Sequence, residues 1–228
     1  MKVNLFDQFM TPKTLGADLL LLTMLLAIMM LFKPTDRLFD APVPTIVTIL
    51  ATLISKHMLE PINPKAQKWA QFLAGQFLLI ATLNLIGMLP YTFAPTTHLS
   101  VNMALAMPAW LTTVVIGASY KPTSTLAHLL PENTPILLIP IIILIETISQ
   151  LMRPLALAIR LTANLIAGHV LMQLISTTMM ILTVLTPMTL APLVFLLLLL
   201  LTTLELAVAI IQAYVFTLLL ALYLHENT

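Results

Sequence analysis

Apolar residues fill this chain in long blocks, parted by short polar stretches rich in proline. One block runs from about Leu15 to Phe32, a second from about Ala70 to Leu89 and a third from about Leu99 to Ala118. Each approaches the roughly 20 residues that a helix needs to cross a bilayer. Two later blocks, 135–180 and 187–224, are far longer. As single helices they would extend about 69 Å and about 57 Å at 1.5 Å per residue. The hydrocarbon core is only about 30 Å thick. Such helices are either strongly tilted or broken, with Pro140 and Pro154 as candidate kinks and Arg153 near a candidate break.

The segment Pro44 to Glu60 has a different pattern. Ile46, Val47, Ile49, Leu50, Leu53, Ile54 and Met58 alternate with threonines, Ser55 and Lys56 at three-to-four spacing. That spacing predicts an amphipathic helix lying on the membrane surface, ended by Pro61 and Pro64. The second and third blocks, joined by YTFAPTTH, predict a transmembrane hairpin with Trp69 and Tyr91 at the interfaces. Asn84 and Asn102 lie inside it and are expected to hydrogen-bond between helices. Asp18, near one end of the first block, is expected to anchor at the headgroups. The fold class is therefore all-α and polytopic, a single membrane domain over 1–228, with the last two helices packed antiparallel.

Composition narrows the choice further. Of 228 residues 60% are hydrophobic and only 8% charged, where soluble domains carry about 25% charge. The alternating ten-residue segments of a membrane barrel are absent. A net charge of +1 gives no footprint for nucleic acid, and with no cysteine there is neither a disulfide nor a thiolate metal site. No Gly-rich phosphate loop or nucleophile elbow occurs, so the chain is not expected to hydrolyse nucleotides itself. Lys33, Arg37, Lys56, Lys65, Lys68 and Lys121 all fall in loops that share one side if there are five crossings. The positive-inside rule then puts the amino terminus outside and the carboxyl terminus inside, with Lys2 and Lys13 dissenting mildly.

The most informative residue is Arg160, within LALAIRLTANLIAGH. Charged residues at such depth face a water path or an ionisable partner and mark ion pathways. Glu146, Arg153 and Arg160 are spaced by seven and form a sparse charged stripe, with Asn164 one turn beyond Arg160. His169 points roughly the other way. The last helix carries Glu205 and Gln212, again seven apart. Facing positions in an antiparallel hairpin sum to a near constant; Arg160 with Gln212 gives 372 and His169 with Glu205 gives 374. Arginine stays charged and so can attract a carboxylate that comes and goes. Histidine beside a carboxylate can pass protons, because it titrates in the physiological range. Glu146, about 21 Å along the helix, provides a third exchanging group on the inner side of Arg160. Arg153 is expected to snorkel or form a salt bridge outside this path.

The stretches IPIIILIETISQLMRPLALAIRLTANLIAGH, LELAVAIIQAYVFTLLLALYLHEN and PYTFAPTTHLSVNMALAMP, with the opening NLFDQF, resemble subunit a (subunit 6) of mitochondrial F-type ATP synthases of the vertebrate type. The resemblance covers essentially the whole chain. It implies a non-catalytic proton-conducting subunit with no cofactor, whose transported ion is H+. Its partners would be the rotating c-ring, the peripheral stalk, other Fo membrane subunits and the lipid bilayer, with no nucleotide bound directly. Arg160 matches the arginine that faces the ring carboxylate, Gln212 the glutamine beside it, and Asn164 the polar residue one turn on. His169 and Glu205 match the outer half-channel, and Glu146 the matrix-side one. The family's long tilted helices favour tilt over a break at Pro154. The implied location is the mitochondrial inner membrane, with the amino terminus in the intermembrane space and the carboxyl terminus in the matrix.

Overall fold

The computed structural model describes residues 9–10, 13–14, 17–18, 20, 23–25, 49, 69–89, 92–120, 138–185 and 191–227. Near the start, β1 (Lys13–Thr14) and β2 (Ala17–Asp18) form a two-residue antiparallel ladder. Asp18 thus sits in extended chain. Most of the first predicted span and all but one residue of the predicted surface helix lie outside the described residues.

Four long helices stand among the described residues: α1 (Ala70–Gly87), α2 (Leu99–Tyr120), α3 (Ile139–Leu185) and α4 (Ala191–Asn227). All four are long and apolar enough to cross a membrane. The protein is an all-α polytopic membrane protein. The predicted limits of 70–89 and 99–118 shift by two residues at one end each. Those of 135–180 and 187–224 move three to five residues later in the chain. Alternatives left open by the prolines are resolved: α3 is one 47-residue helix that runs through Pro154. Pro154 is fully buried. At 1.5 Å per residue α3 is about 70 Å long, more than twice the roughly 30 Å of the hydrocarbon core, so it must incline within a membrane or project beyond it.

In lipid there is little hydrophobic drive between helices, and association rests on close van der Waals contact and interhelical hydrogen bonds. One cluster joins α1, α2 and α4 through Leu73, Ala109, Ile116, Leu220, Ala221 and Leu224. A second brings all four helices together around Phe77, Ile80, Ala106, Leu161, Ala213 and Phe216. The alanines let the backbones approach. Two asparagines add the expected interhelical bonds. Asn84 donates to the Ala209 carbonyl of α4 (3.3 Å), and Asn102 donates to Thr162 Oγ1 of α3 (3.0 Å) and to the Thr96 carbonyl (2.7 Å).

The hairpin turn is folded tightly against this junction. A Cβ on Gly87 would meet the Ala94 Cβ at 2.8 Å, so only glycine allows the approach. Burial is uneven. Of the most apolar window of α1, 44% is buried within the chain, against 6% for α3. The inner helix of the bundle is therefore α1, whereas the most apolar window of α3 is little buried within the chain.

Candidate functional site

The buried positions of α3 and α4 fall in stripes at three-to-four spacing: Leu157, Ala158, Leu161, Thr162 and Leu165 on α3, Glu205, Ala209, Gln212, Ala213 and Phe216 on α4. The polar residues lie on or beside these stripes, so packing fixes their positions.

His169 Nδ1 lies 3.9 Å from Glu205 Oε1, with the side chains 21% and 9% exposed. The expected pair is therefore formed. Its seat is made by Gly168, which the sequence reading did not single out. A Cβ there would fall 2.8 Å from Glu205 Oε1 and 3.2 Å from its Cδ. Glycine lets the carboxyl group rest directly against the α3 backbone.

Asn164 Nδ2 donates to Gln212 Oε1 at 2.9 Å. This corrects the expected pairing of Gln212 with Arg160. Arg160 and Asn164 are one turn apart on the same side, and 164 with 212 gives 376, as near to 374 as 372 is. Sequence spacing could not separate the two. The short amide reaches across the interface, while Arg160 is exposed on α3. Among the described residues Arg160 has no ion pair or side-chain hydrogen bond. Around it the same exposed face carries Ala156, Ala163 and Ala167. Such small residues let a neighbouring helix come close.

A groove of about 360 Å³ opens between α3 and α4, lined by Asn164, Ala167, Gly168, Leu204, Glu205 and Val208 among others. It links Glu205 to the face on which Arg160 stands. Glu146 is half-buried in the first part of α3, apart from these pairs. Arg153, expected to snorkel or form a salt bridge, is found with its guanidinium carbon 4.8 Å from the centre of the Tyr223 ring. This is a cation–π contact that ties α3 to the end of α4.

Three buried polar atoms in this part of the helix pair, His169 Nε2, Glu205 Oε1 and Gln173 Oε1, have no hydrogen-bond partner. Gln173 was not flagged from sequence, although a polar residue one turn from His169 on an apolar helix was a readable signal.

The fold and the seam define a polytopic helical membrane protein with charged and amide side chains between its two longest helices. Residues 17–225 match the family described as ATP synthase A chain. The chain is 52% identical to the "ATP synthase F(0) complex subunit a" of Alligator mississippiensis, over 99% of this chain and all of that protein. It is 52% identical to that of Latimeria chalumnae and 53% identical to that of Anas platyrhynchos, each over the full length of both chains. The chain belongs to the ATP synthase A chain family. It is a non-catalytic membrane subunit of ATP synthase, concerned with ATP synthesis and proton transport in the mitochondrial inner membrane, and it associates with other subunits of that complex.

Proposed function

We propose that this chain is the proton-conducting stator subunit of the Fo motor, with two offset half-channels that serve a carboxylate on the rotating c-ring. A proton arrives from the outer side at His169 and Glu205 and neutralises a ring carboxylate. The neutral acid can then travel through lipid, which an ionised one could do only at a cost of several kcal/mol or more. After most of a turn the proton leaves toward Glu146. Arg160 attracts the bare carboxylate and blocks direct leakage between the two paths. Asn164 and Gln212, joined as neutral amides, leave that charge uncompensated. H+ is the transported ion, and no cofactor or directly bound nucleotide takes part.

The supporting observation is the state of Arg160. Among the described residues it has no partner, and it stands on an exposed face of small residues, one turn from the Asn164–Gln212 bond and about 14 Å along the helix from His169. A cation so placed in an apolar helix calls for an acid from another chain. The c-ring supplies that acid, and the peripheral stalk and other Fo subunits hold this chain still beside it. In this reading the amino terminus faces the intermembrane space and the carboxyl terminus the matrix. Each proton crossing yields about 2.3 kcal/mol per 100 mV.

Glu205→Gln tests the reading. The amide keeps the shape and loses the exchangeable acid. Proton uptake by reconstituted complex is expected to fall by about tenfold or more, in line with the usual contribution of a positioned acid–base group, with assembly intact. Uptake at the wild-type rate would remove Glu205 from the path.

A further inference from the structure

We propose that Gln173 is a positioning residue for His169, acting as the second acceptor for its protonated ring; this rests on the proton-path reading above. His169 and Gln173 are four residues apart on α3, hence one above the other on the same side. Nδ1 of His169 lies 3.9 Å from Glu205 Oε1, outside hydrogen-bond distance, and that oxygen is also without a hydrogen-bond partner. The other ring nitrogen of His169, Nε2, is buried and without a partner, and so is Oε1 of Gln173. Buried polar atoms in native proteins are almost always satisfied, by protein or by ordered water. The two orphan atoms have complementary chemistry only when Nε2 carries a hydrogen. A rotamer change that brings the two into contact, or one bridging water, then satisfies both.

The consequence follows from counting donors. Neutral imidazole has a single N–H, whereas imidazolium has two. With Glu205 accepting from Nδ1 and Gln173 accepting from Nε2, both hydrogens of the charged ring have a place. Gln173 thereby supports the interval in which His169 holds the proton before Glu205 takes it. A glutamine does this without titrating, so it adds no exchange site of its own. Its place one turn nearer the outer end of α3 also puts a polar group where the path meets the apolar flank formed by Leu171 and Leu174, both exposed.

The experiment compares two substitutions in the assembled complex, reconstituted into vesicles, with proton uptake and complex assembly both measured. Gln173→Leu removes the acceptor and suits an apolar helix. Gln173→Glu keeps an acceptor oxygen at the same reach. An acceptor role predicts slower uptake for Gln173→Leu, by about tenfold, the factor implied by one hydrogen bond to a charged group. It also predicts that Gln173→Glu recovers most of the rate. The opposite order, with leucine at the wild-type rate and glutamate impaired, would show a packing position and overturn the inference. Arg160→Ala serves as the control. If it abolishes coupled flux while Gln173→Leu is normal, only the role of Gln173 fails; if it leaves coupled flux intact, the proton-path reading itself fails.

Discussion

Replacing Arg160 by alanine is expected to abolish ATP-coupled proton flux while leaving the complex assembled. The side chain is exposed on α3 and is no part of the buried stripes that join the helices. Removing it therefore takes nothing from the fold of this chain. Its worth lies in what it meets. Deleting one member of a desolvated charge pair costs about 3–5 kcal/mol, at least about a hundredfold in an equilibrium or rate. Two effects are expected together: the ionised ring acid loses the cation that draws it across, and the barrier between the half-channels is gone. Arg160→Lys should recover little, because a flexible point charge does not reproduce the planar guanidinium. Coupled flux in reconstituted vesicles, set beside a gel that reports assembly, checks both points. Normal coupling in the alanine variant would refute the role.

The second large effect is expected at Gly168. An alanine there places its Cβ 2.8 Å from Glu205 Oε1, and the Cδ and Cγ carbons at 3.2 and 3.3 Å are also too close. The nearest atom is the end of a flexible side chain, so the clash is relieved by moving the carboxylate and the helices can stay packed. The loss should therefore appear in function more than in stability. Displacing Glu205 separates it from His169, and proton uptake should fall toward that of Glu205→Gln. Gly168→Val should be worse than Gly168→Ala, since its two methyl groups widen the obstruction. A double variant sharpens the test. Glu205→Asp is shorter by one methylene and should be less harmful when Gly168 is already alanine than when it is glycine, a coupling that contacting residues show and distant ones do not. Strict additivity, or wild-type uptake in Gly168→Val, would contradict the close seat described here.

Both effects bear on what the sequence could and could not reveal. Long apolar blocks disclosed all four described helices, because the length needed to cross a bilayer leaves little room for ambiguity. The seven-residue spacing of Glu205 and Gln212 also put the His169–Glu205 pair within reach. Its failure was local. A helix face repeats every three to four residues, so Arg160 and Asn164 were equally good partners for Gln212, and only side-chain length and the packed interface chose Asn164. Pro154 was undecidable for a related reason: a proline within a membrane helix is tolerated when neighbouring helices accommodate it, and that depends on the bundle. Gly168 carries no chemical group to notice, and its role exists only as a distance to Glu205. The Arg153 contact with Tyr223 joins residues 70 positions apart, which no local pattern encodes. Gln173 is different, since its spacing from His169 was visible and its meaning came from the two unpartnered atoms.

The exposed face of α3 carries the greatest consequence. Ala156, Arg160, Ala163 and Ala167 of that helix are all exposed, and among the described residues Arg160 has no ion pair or side-chain hydrogen bond. In the proposed function a partner comes close there and brings an acid. The chain has no cysteine of its own, so a single Ala163→Cys, which leaves Arg160 in place, can report on that partner. Disulfide formation between this position and a cysteine placed beside the carboxylate of the c-ring subunit is the direct measurement. The account predicts a cross-link that forms on oxidation, stops rotation and is reversed by reductant. A cysteine at 163 that never joins the ring subunit, yet reacts freely with a lipid-soluble maleimide, would contradict it.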